Sequence, residues 1–84
     1  MPLRVVLIGA AGVFGSRIAR RLSGDPRFEL ILAGRRRAAL GALVDSLNGA
    51  NACVAVLDID ATDFPQTLAR LHPQLVIHTA GPFQ

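Results

Sequence analysis

Apolar residues fall in four short blocks, Leu3 to Ile8, Phe28 to Ala33, Ala52 to Leu57 and Leu75 to Thr79, separated by longer stretches where apolar positions recur at helical spacing. The first block is broken only by Arg4 and is short and β-favouring enough for a central strand. From Val13 the period changes. Val13, Ile18, Ala19 and Leu22 form one apolar stripe, with Arg17, Arg20 and Arg21 off it, and Ser23-Gly24-Asp25-Pro26 stops that helix. After the second strand, Arg36 to Leu47 sets Leu40, Leu43, Val44 and Leu47 on one helical side, and Asn48-Gly49 closes it. The third strand ends at Asp58-Ile59-Asp60. A third helix is expected from Thr62 or Asp63, with Pro65 tolerated in its first turn, through Leu68 and Leu71 to His72-Pro73. Leu75 to Thr79 is the fourth strand.

Strand and helix alternate, which argues for a parallel α/β sheet with right-handed crossovers. The expected strand order is 3-2-1-4, the first half of a Rossmann-type, doubly wound sheet. A complete domain of that kind takes about 100–200 residues. The 84 residues are therefore read as the N-terminal part of a dinucleotide-binding domain, stopping after the fourth strand, with the substrate domain absent. On that reading the fourth strand is an apolar edge carrying Val76 and Ile77, open to self-association.

Candidate chemistry begins where the first strand ends. Gly9, Gly12 and Gly15 fit G-x-x-G-x-x-G, with Ala11 where the tighter dinucleotide fingerprint has its second glycine. Gly9 permits a sharp exit from the strand, Gly12 lets the backbone approach a pyrophosphate, and Gly15 lets the helix pack close to the sheet. Amides at the helix start would then donate to the phosphates, with Ala10 to Val13 as the floor.

The end of the second strand selects among cofactors. A site for NAD carries an acidic residue there for the adenosine ribose, whereas a 2′-phosphate needs cationic donors. This chain has Ala33-Gly34-Arg35-Arg36-Arg37 and no acid. The expectation is NADP rather than NAD. Arg35 is the leading phosphate fork, Arg36 is a candidate for adenine or phosphate, and Arg37 reads equally well as a solvated residue of the next helix. Asp58 and Ile59 are candidates to receive adenine, although Asp58 reads as well as a cap or turn residue. Ala80, Gly81 and Pro82 leave the fourth strand on the same edge, small enough to let the nicotinamide-side ribose or pyrophosphate pass. His78 reads as a packed strand residue rather than a catalytic group, and no nucleophilic or metal-ligand constellation assembles.

Composition adds limits. Hydrophobic residues make up 51% of the chain, rich for a small globule but suited to strands covered on both faces. All nine basic residues are arginine, against six acids, yet most lie along helical faces, and without Tyr or Trp there is no stacking platform for nucleic acid. The single Cys53 cannot form an internal disulfide and is read as a buried structural thiol, which with the lack of a cleavage-signal pattern suggests a cytoplasmic setting without a membrane partner.

The segments VVLIGAAGVFGSRIARRL, ELILAGR, LDID and LVIHTAGPFQ together resemble the NADP-binding domain of the saccharopine dehydrogenase-like family. The resemblance covers nearly the whole chain, and G-x-x-G-V-F-G with T-A-G-P-F is its most specific part. It implies that Gly9, Ala11, Gly12, Val13 and Phe14 lie along the pyrophosphate, that Arg35 takes the adenosine 2′-phosphate or ribose, that Asp58 approaches adenine, and that Ala80, Gly81 and Pro82 border the nicotinamide ribose. His78 stands where such proteins can carry Asn. The implied activity is hydride transfer between NADP(H) and a small organic substrate held by the missing domain, so that this chain alone would not turn over. The alternatives are an extended short-chain dehydrogenase or epimerase, which needs a downstream Tyr-x-x-x-Lys pair, and a non-catalytic NADP-sensing module.

Overall fold

The structure, a computed structural model, describes residues 2–47 and 51–79. It contains β1 (Leu3–Ile8), α1 (Val13–Leu22), β2 (Phe28–Gly34), α2 (Arg37–Ser46), β3 (Ala52–Val56), α3 (Phe64–Arg70) and β4 (Leu75–His78). The strands form one sheet in the order β3-β2-β1-β4, and every pairing is parallel. This is Rossmann-type topology, with β1 and β2 in the middle.

Alternation along the two central strands builds a core on each face. Val5, Leu7, Leu30 and Leu32 join Ala19 of α1 and Leu40 and Leu43 of α2 on one side. Val6, Ile8, Ile31 and Ala33 join Leu57 on the other, where Phe64, Leu68 and Leu71 of the α3 region pack against them. Seven large side chains, from Val5 to Ile8 and Leu30, Leu32 and Leu40, are fully enclosed, each contributing about 1.5–3 kcal/mol by leaving water. The continuous apolar runs in β1 and β2 therefore reflect burial on both faces. α3, by contrast, has no fully buried residue.

The apolar stripe of α1 begins at Gly15, not at the expected Val13. Gly15 and Ala19 are buried, Ile18 and Leu22 pack against the core, and Val13 is 68% exposed. The reason is position: the first turn overhangs the carboxyl edge of the sheet, so its side chains have no strand beneath them. Cys53 also departs from expectation, being exposed on the outer strand β3 rather than buried.

Polar side chains stitch the opposite, amino-terminal edge. Arg4 of β1 pairs with Glu29, its register partner on β2, and its Nη1 donates to the Leu71 carbonyl at 2.9 Å. Asn51, just before β3, donates from Nδ2 to the carbonyls of Asp25 (3.1 Å) and Phe28 (2.9 Å) and accepts from the Gly24 amide (3.0 Å). One side chain thus ties the α1–β2 loop to β3. α3 ends with His72 at φ 51°, a left-handed residue just before Pro73.

Candidate functional site

Beyond β1 the chain must reverse into α1 within a few residues. Gly9 does so at φ 80°, a left-handed conformation that a side chain would strain by about 1–2 kcal/mol. The turn is anchored to β2, since the amides of Gly9 (2.9 Å) and Ala10 (3.2 Å) both donate to the Ala33 carbonyl. The Gly12 amide closes the turn on the Gly9 carbonyl at 3.0 Å. A Cβ on Gly15 would stand 2.1 Å from that same oxygen, so only glycine lets α1 approach this closely. On the other flank, Thr79 donates from Oγ1 to the carbonyls of Ile8 (2.7 Å) and Gly9 (3.2 Å) and from its amide to Ile8 (2.9 Å). Three strands hold the turn in place.

All three helices rise from this edge, and none has a side-chain cap hydrogen bond. Gly12 is the N-cap of α1 and Arg36 that of α2; neither makes a side-chain cap hydrogen bond, and neither helix has an acid in its first turn. First-turn amides aligned with the helix dipole give each start a partial positive charge of roughly half a unit. Arg36 is also a cation at the wrong end of its helix for stability. That arrangement suits an anion better than it suits the helix.

A cleft of ≈ 560 Å³ opens along this carboxyl edge, across the ends of β1, β2 and β3. Gly9, Ala11 and Gly12 line it past β1, Gly34 at the end of β2 and Arg35 and Arg36 past it, and Leu57, Ile59 and Asp60 past β3, with Ala39 and Leu40 of α2 along one wall. Neighbouring parallel strands lie about 4.8 Å apart, so these three groups succeed one another across roughly 10 Å. The glycine turn, two arginine residues and an apolar stretch ending in Asp60 stand in that order.

Of the residues expected from sequence, Gly9, Ala11, Gly12, Arg35, Arg36 and Ile59 come together in the lining. Gly15 lies buried beneath the turn, while Val13 and Phe14 are exposed in the first turn of α1. Asp58 has a local role, its Oδ1 accepting the Asp60 amide at 2.9 Å. Asp60, with Ala39, Leu40 and Leu57, is a lining residue that the sequence reading did not single out. Nothing in the spacing Asp58-Ile59-Asp60 separates the two acids, since both stand at the end of the third strand. Ala80, Gly81 and Pro82 lie outside the described residues.

Among the described residues no group of His, Cys, Asp and Glu could hold a metal ion. The Cys53 thiol is pushed up from its ordinary pKa by partial burial and then by the Glu29 carboxylate, away from thiolate reactivity. No described helix is long and apolar enough to cross a membrane.

Comparison of the chain with family models, with curated proteins and with solved structures finds no match. The chain is a small Rossmann-type α/β domain. Its topology is compatible with nucleotide binding, and its main cleft lies where such sheets receive ligands, outside the carboxyl ends of the strands.

Proposed function

We propose that the cleft binds NADP(H), and that the chain is the cofactor-binding part of an oxidoreductase that transfers hydride to or from a small organic substrate. The observation that carries this reading is the pair Arg35 and Arg36 in the lining, beside the glycine turn and with no acid at the end of β2. A ribose 2′-phosphate is a dianion that would meet two guanidinium groups and the bare start of α2. A free 2′-hydroxyl would leave both cations without a partner and without the carboxylate that NAD sites supply.

The pyrophosphate would lie over Gly9, Ala11 and Gly12, held by amides at the start of α1, with Val13 and Phe14 as its outer neighbours and Gly15 keeping the helix close. Arg35 would fork the 2′-phosphate and Arg36 flank it or the base, while Asp58 and Ile59 border the adenine. Ala80, Gly81 and Pro82 would border the nicotinamide ribose. When bound, the dinucleotide supplies the hydride chemistry, and this chain positions it.

The resemblance to saccharopine dehydrogenase-like proteins makes an oxidoreductase of that kind the preferred parent, whose further domain would carry the substrate pocket and any acid or base. A reducing, cytoplasmic setting fits this use of NADP(H) and the single thiol. The exposed β4 edge would be the contact for a homo-oligomer. The test is a calorimetric titration of NADP and NAD into the wild-type chain and into Arg35→Ala. We expect NADP to bind at least tenfold tighter than NAD, and the substitution to remove most of that preference, since a charge-assisted pair contributes about 1.5–3 kcal/mol. Equal affinities, unchanged by the substitution, would overturn the assignment.

A further inference from the structure

The hydroxyl of Thr79 makes contacts that the backbone around it does not require. β4 runs parallel to β1 in the register Val5↔Leu75 to Ile8↔His78, and the Thr79 amide extends that ladder by donating to the Ile8 carbonyl at 2.9 Å. The Gly9 carbonyl likewise has a backbone donor, the Gly12 amide at 3.0 Å. Both oxygens are paired before the side chain is counted. Thr79 Oγ1 nevertheless lies 2.7 Å from the first and 3.2 Å from the second, half-buried between β4 and the glycine turn. Losing that hydroxyl leaves neither carbonyl orphaned, so its effect is on placement more than on stability.

The Gly9 carbonyl is where the geometry of the turn is decided. It accepts from Gly12, the N-cap of α1, and a Cβ on Gly15 would stand 2.1 Å from it, so the start of the helix and its closest packing contact both refer to this one oxygen. A shift of that oxygen carries the first turn of α1 with it. Arg35 and Arg36 are set differently, since they follow β2, which pairs with β1 over its whole length from Leu3↔Phe28 to Ile8↔Ala33. The two phosphate-facing parts of the cleft thus have separate anchors. Threonine suits the first of them, because its β-branch restricts χ1 and its one proton can be shared between two neighbouring acceptors.

We infer that Thr79 is a positioning residue whose hydroxyl fixes the Gly9 carbonyl from β4 and so sets the amides at the start of α1 for the cofactor's pyrophosphate. The inference rests on the dinucleotide reading above. It adds a residue outside the cleft lining that governs affinity for the pyrophosphate but not for the 2′-phosphate.

The experiment measures NADP and adenosine 2′-monophosphate, which has the base, ribose and 2′-phosphate but no 5′-phosphates, by calorimetry on the whole chain and on Thr79→Val and Thr79→Ser. Valine puts a methyl in place of the hydroxyl, and a carbon does not approach a carbonyl oxygen closer than about 3.3 Å, so the turn must move. Thr79→Val should weaken NADP about three- to tenfold, the value of one hydrogen bond, and leave adenosine 2′-monophosphate within about twofold. Thr79→Ser keeps the donor and should restore NADP to within about twofold of the wild type. Unchanged NADP affinity in Thr79→Val, an equal loss of both ligands, as misfolding would give, or no rescue by serine would overturn the role of Thr79. Wild-type NADP affinity no tighter than that of adenosine 2′-monophosphate would overturn it too while leaving the arginine assignment standing, and wild-type binding of neither ligand would overturn both.

Discussion

At the scale of single residues, the turn after β1 depends on the absence of a side chain at one buried position. Gly15→Ala would set a methyl 2.1 Å from the Gly9 carbonyl, and the groups it meets are backbone, which cannot swing aside. We expect a loss of about 1–3 kcal/mol in urea denaturation, together with weaker NADP binding as α1 is pushed off the turn. Asn51→Ala provides a contrast at the far edge of the sheet. It removes the printed partners of the Gly24 amide and the Phe28 carbonyl and one of the two donors to the Asp25 carbonyl, so it should cost about 1–3 kcal/mol by the same measurement while leaving cofactor affinity unchanged in what remains folded. Asp25 supplies a pH effect. Hydrogen bonds from the Arg27 side chain and backbone hold its carboxyl below the usual value of 3.8, so its share of stability is complete above that pH and is lost as pH falls through the lowered value. Because Arg27 is largely exposed and Asp25 is only partly buried, Asp25→Asn should flatten only slightly the acid side of a Tm-against-pH curve.

At the scale of elements, strand and helix order was legible because the two central strands are enclosed on both faces and so carry unbroken apolar runs. The glycine turn and the arginines past β2 were legible too, as residue types that a strand-to-helix crossover does not otherwise need together. What the sequence did not reveal depends on where elements end in space. Val13 fits the helical period of α1 yet overhangs the sheet. Cys53 follows the alternation of β3, but β3 is an outer strand, so its side chain is exposed. Asp58 and Asp60 have the same chemistry two positions apart, yet Asp60 is a lining residue of the cleft whereas Asp58 accepts the Asp60 amide. Periodicity reports a direction around an element and says nothing of what lies beyond its end.

Across the whole molecule, the two edges of the sheet differ in what covers them. Among the described residues β4 pairs only with β1, and Leu75 and Val76 are 44% and 40% exposed on a strand with no Lys, Arg, Asp or Glu. Uncharged edges of this kind invite pairing between copies. Val76→Lys should shift the chain toward monomer in sedimentation velocity while leaving the Tm within about 2–4 °C, a small change for an exposed edge position. The functional face is the opposite case, with charge concentrated where the backbone is most open. Three uncapped helix starts and two arginines lie at the carboxyl edge, whereas Arg17, Arg20 and Arg21 are exposed along α1. The most direct test of the account is to map amide chemical shifts on titration with adenosine 2′,5′-bisphosphate, which carries the base, the ribose and both of the phosphates at issue. Saturable shifts at residues 9–15, 34–37 and 57–60 are predicted. Shifts confined to Arg17, Arg20 and Arg21, or weak shifts spread over every arginine, would contradict it.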